Sequence, residues 1–94
     1  MNEFFDALAA RWRKAAERRG ANIAEPELDP KVAAEILELA RVAAHTKERR
    51  FAPLASYMAG VASERLREAK GADADAVAGY IREVREELER ESPP

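Results

Sequence analysis

No stretch of this 94-residue chain alternates apolar and polar residues with a period of two, whereas four stretches repeat apolar residues every three or four positions. Spacings of three and four line one side of an α-helix, and strands require alternation. The chain is therefore predicted to be all-α. With 36% charged and 47% hydrophobic residues it carries enough apolar material to fold and enough charge to keep its outer faces wet.

The first helix is predicted over about 2–19, with Asn2 as its cap, Gly20 as its stop, and Phe5, Leu8 and Trp12 on one face. That register assigns Trp12 to the core. "ANIAEPELDP" holds two prolines and no sustained period, so it reads as a connector. Asp29-Pro30 opens a second helix over about 30–46, with Val32, Ile36, Leu39, Ala40 and Ala43 as its stripe.

A third helix is predicted over 53–70, opening at Pro53 and closing at Gly71. The run Phe51 to Ser63 contains no charge, and a helix apolar all round is buried, so this helix is expected at the centre. Gly60 inside it, and Gly79 further on, suggest close backbone approaches. The fourth helix, over about 74–90, starts at an Asp73 or Asp75 cap and repeats Val77, Ile81, Val84 and Leu88. Exposed pairs Arg82–Glu86, Arg85–Glu89 and Glu86–Arg90 are expected on it, and the terminal "SPP" should stop it. One domain spanning 1–94 results, a compact four-helix bundle or an orthogonal four-helix array.

Several kinds of chemistry are set aside by composition. There is no cysteine and one histidine, so thiolate chemistry and multi-histidine metal sites are excluded, and no cofactor is expected. A net charge of −2 gives no general attraction for nucleic acid or anionic membranes. The longest uncharged run is too short to span a bilayer, and Glu3 and Asp6 stand where a signal peptide would be basic, so a cytoplasmic protein is expected. Neither a glycine-rich phosphate loop nor a nucleophile beside His45 is evident, and the chain reads as a non-enzyme.

One stretch, "HTKERRFAPLASYMAG", offers a candidate site. Arg41 and His45 fall on one polar stripe at the end of the second helix, and Arg49 and Arg50 lie in the turn that follows. If the third helix starts at Pro53, no serine, threonine, asparagine or aspartate stands close enough before it to cap it. The N–H groups of Leu54 and Ala55 would then face an anion beside two arginines, with the Tyr57 hydroxyl nearby. The same residues have plainer roles open to them: His45 on the last carbonyls of its helix, Glu48 folded over the next helix start, and Arg49 and Arg50 paired with Glu38 or with the acidic fourth helix.

The pattern "ELARVAAHTKERRFAPLASYMAGVA" resembles a small bacterial domain of unknown function that occurs alone or fused to molybdenum cofactor guanylyltransferase-like proteins. Leu39, Ala40, Arg41, Ala44, His45, Arg49, Ala52, Pro53, Leu54 and Gly60 carry the likeness, which departs from that domain at Thr46 and Arg50. The resemblance implies an accessory role near molybdenum cofactor or molybdoenzyme biogenesis. The leading expectation is a non-catalytic module that binds a protein partner or a small anionic ligand at this corner. A homodimer built on Gly60, Gly79 and Val42 is the alternative. Nucleic-acid binding through Arg11, Lys14 and Arg18 ranks last.

Overall fold

The computed structural model describes residues 2–91. Four helices follow one another, α1 (Glu3–Arg18), α2 (Pro30–Thr46), α3 (Phe51–Lys70) and α4 (Ala74–Glu91), with no strand among the described residues. The all-α expectation is met. The terminal "SPP" lies outside the described residues. The chain divides into two compact units, Met1–Pro30 and Lys31–Pro94.

In the first unit the Phe5 N–H donates to Asn2 Oδ1 at 3.2 Å, so the predicted cap is in place. Arg13 ties the connector back onto α1: its Nε donates to Glu25 at 3.0 Å and its Nη1 to Glu17 at 3.1 Å. Both carboxylates hold the Arg13 guanidinium above its ordinary pKa, the Glu25 hydrogen bond contributing most. Trp12 does not join a core. It is 58% exposed, and Ala9 is the buried residue of α1. The periodic stripe was read correctly as a helix face, but periodicity does not say which part of a face meets another element.

The buried apolar residues of the second unit come from α2 and α4, and α3 packs beside α4. Val32 and Leu39 from α2 meet Val77, Ala78 and Ile81 from α4 in one cluster, with Val77 fully buried. Polar contacts follow the same pair of helices. Glu35, under the Arg82 and Arg85 guanidiniums at 3.0 and 3.5 Å, links α2 to α4 at the edge of the apolar cluster. Lys31 reaches Asp75 at 2.7 Å near the start of both helices. Arg85–Glu89 forms as expected at 2.6 Å, while Arg82 goes to Glu35 instead of Glu86. The Glu89 hydrogen bond is the main reason the Arg85 guanidinium lies above its ordinary value. The start of α4 is decided by Asp73, whose Oδ1 accepts the Ala76 N–H at 2.9 Å.

α3 is not the central helix. Only Ser63 on it is buried, and its contribution to the cluster is made by Ala55 and Ala59. Lack of charge failed as a guide because the inward side of α3 consists of small residues. Nor do the glycines mark close approaches: a Cβ placed on Gly60 or Gly79 meets nothing within 4 Å. Gly60→Ala is therefore expected to stabilise the chain by about 1 kcal/mol, read from a chemical denaturation midpoint, because it adds helix propensity without a clash. Gly71 is a different case. Its φ of 65° and its N–H on the Arg67 carbonyl at 2.7 Å make the left-handed stop that ends α3.

Candidate functional site

The corner between α2 and α3 assembles differently from its prediction. α2 runs to Thr46, whose hydroxyl donates to the Val42 carbonyl at 2.8 Å, and the Lys47 N–H closes the last turn on Ala43 at 3.2 Å. The Arg41 Nε donates to Glu38 at 2.8 Å, and a second Arg41 nitrogen lies 3.9 Å from Glu89. That hydrogen bond, and then the charge behind it, holds the Glu38 carboxyl below its ordinary value of 4.5. Arg50 is folded onto Glu48 at 2.7 Å. The side chains of His45 and Arg49 are exposed and make no hydrogen bond or ion pair among the described residues.

The helix start differs from the one on which the anion-site expectation rests. α3 begins at Phe51, two residues ahead of the prediction, with Arg50 as its cap and no side-chain capping bond. The Phe51 N–H donates to the Glu48 carbonyl at 3.0 Å and the Ala52 N–H to Arg49 at 3.2 Å, while Pro53 has no N–H to satisfy. With Arg50 as the cap, the positions whose N–H groups a helix leaves open run from Arg50 to Pro53, ahead of Leu54 and Ala55. The proline occupies the third helical position instead of the first, where its missing donor is equally harmless. This start moves Leu54 and Ala55 beyond the open positions, and the corner keeps the exposed side chains of His45 and Arg49.

Leu54 and Tyr57 belong instead to another surface. Leu54 is 61% exposed, Tyr57 74% and Met58 70%, and the helical spacing places all three on one side of α3. Ala55, Ala59 and Ser63 face the opposite way, toward the unit's interior. The outward side continues into an open groove of about 520 Å³ whose walls include Tyr57, Met58, Val61, Leu66 and Tyr80, with Arg65 on its rim. The Arg65 side chain makes no hydrogen bond or ion pair among the described residues. The three exposed side chains leave roughly 450 Å² of largely apolar surface in water, within the range of the largest patch on a typical monomer, where such patches are often functional. Sequence reasoning missed this face because it asked where charge was missing. The available signal was size: between Ala52 and Ser63 the large residues fall on one side of the helix and the small ones on the other.

No group of three or more histidine, aspartate or glutamate side chains suited to a metal is present among the described residues. No helix among them is long and apolar enough to cross a membrane. Over residues 1–94 the sequence matches the model of a family described as a domain of unknown function, DUF6457. No curated protein and no solved structure matches the chain.

Proposed function

We propose, for a chain that belongs to the DUF6457 family of unknown function, the role of a non-catalytic module that works by binding a protein on the outward face of α3. The observation that carries this reading is the exposure of Leu54, Tyr57 and Met58, each above 60%, on a helix that turns its alanines inward. Covering those side chains returns on the order of 10 kcal/mol before the cost of association, enough for a reversible complex. The surface is built for contact with another apolar face, with Arg65 and the two tyrosine hydroxyls supplying polar contacts around it.

The likeness to a bacterial domain found fused to molybdenum cofactor guanylyltransferase-like proteins supports a setting in cofactor or molybdoenzyme biogenesis, in the cytoplasm. In that setting the module is an accessory to the chemistry of others. A second reading, an anionic ligand held by the side chains of His45 and Arg49, rests on those side chains having no partner among the described residues.

Photo-crosslinking in cells tests the main reading. A photoreactive residue in place of Met58 is expected to give a discrete protein adduct, and the same residue in place of the exposed Glu83 on α4 to give none. Absence of any protein adduct at Met58 overturns the assignment.

A further inference from the structure

The outward side of α3 carries a repeat that the binding reading leaves unused. Leu54, Met58, Val61, Arg65 and Glu68 follow one another at intervals of four, three, four and three, the spacing of a two-helix coiled-coil seam. The seam is polarised: its first three members are apolar and its last two are a cation and an anion. We propose that the protein bound by this face is a second copy of the same chain, its α3 lying antiparallel across the first with Val61 near the two-fold axis. This inference rests on the binding reading above and names its partner.

Charge sets the direction. In a parallel pair Arg65 faces Arg65 and Glu68 faces Glu68, two like-charge contacts at the seam. Turning one helix around removes both. Met58 then lies against the aliphatic stem of Arg65 from the other copy, and Leu54 lies between Glu68 and Ala69 of that copy. The guanidinium of Arg65, which has no partner in its own chain among the described residues, comes over the ring of Tyr57 across the axis, a cation–π arrangement. An isologous interface requires one patch to face itself, and in this register no like charges meet: Glu68 lies at the end of the contact, where its carboxylate stays in water, and the Arg65 stem packs while its tip reaches Tyr57.

Area points the same way. A standard interface takes about 800 Å² from each partner, and Leu54, Tyr57 and Met58 supply roughly half of that before Val61, Leu66 and the Arg65 stem are added. The groove beside the seam gives the incoming helix a concave seat, with Tyr80 of α4 as its far wall.

Because the chain has no cysteine, single cysteines report the geometry without interference. The whole chain in sedimentation equilibrium is expected to show a concentration-dependent mass rising to twice 10.5 kDa. Met58→Glu, at an exposed position, is expected to raise the dimer dissociation constant about 30-fold or more while leaving the thermal melt of the monomer in place. Under mild oxidation Val61→Cys should form a disulfide-linked dimer. Leu54→Cys should not, because the antiparallel register holds the two Leu54 positions about 20 Å apart along the helix axes, beyond the reach of a disulfide. Efficient cross-linking of Leu54→Cys would overturn the antiparallel register. A chain that stays monomeric at every concentration overturns the second copy as partner. In that event, a Met58 adduct with a different protein leaves the binding reading standing, and no adduct of any kind removes both.

Discussion

Val77→Asp is expected to abolish the cooperative thermal unfolding of the unit formed by α2, α3 and α4. Val77 is fully buried at the centre of the cluster where Val32 and Leu39 of α2 meet Ala78 and Ile81 of α4. A carboxylate there has no cation within the cluster to pair with, and either it stays ionised without water or it takes up a proton and remains a poorly bonded polar group. Each outcome costs about 4 kcal/mol or more, a large share of the stability available to a small domain. Val84→Asp is the control on the same helix. Val84 shares the predicted apolar stripe but is 43% exposed, so its aspartate remains hydrated and the melt should shift by only a few degrees. Circular dichroism at 222 nm, the standard helix signal, reads both. Equal melts for the two variants would contradict the assignment of Val77 to the core.

The second large effect separates two leucines on α2. Leu39 is 5% exposed and part of the cluster, whereas Leu37 is 70% exposed. Leu39→Ala is expected to destabilise by about 3 kcal/mol through lost burial and the cavity left behind, while Leu37→Ala stays within about 0.5 kcal/mol of the parent. Denaturant midpoints at constant m-value give the comparison directly. A cost at Leu37 matching that at Leu39 would place an apolar contact on the outer side of α2 and redraw the core.

The contrast between Leu37 and Leu39 shows what could be read from the sequence alone. Periodicity found the four helices and located most of their ends within a residue or two, since capping at Asn2, the Asp29-Pro30 start and the Gly71 stop are local signals. Leu39, Val32, Val77 and Ile81 were legible as inward-facing because their neighbours at helical spacing are apolar while the opposite faces of α2 and α4 carry charge. α3 was misread at both levels. Its start moved because Pro53 suits the third position as well as the first, and its burial was overestimated because an uncharged face gives no direction when the opposite face is uncharged too. The corner residues Arg41 and Arg50 were drawn to Glu38 and Glu48, close acids whose claim on them required a backbone to be visible. The side-chain sizes along α3 did hold the answer, since Ala55, Ala59 and Ser63 recur at one spacing and Leu54, Met58 and Val61 at another.

That separation of sizes has a consequence for how such a chain can change over time. On most amphipathic helices, one face keeps the fold and the other keeps the protein in solution, so a large apolar substitution outside is penalised. On α3 the side turned to the core consists of small residues, Ala55, Ala59 and Ser63, which leave little to vary, while the exposed positions carry the bulk. Substitutions at Leu54, Tyr57 or Met58 can therefore accumulate and alter what the surface recognises without being filtered by stability.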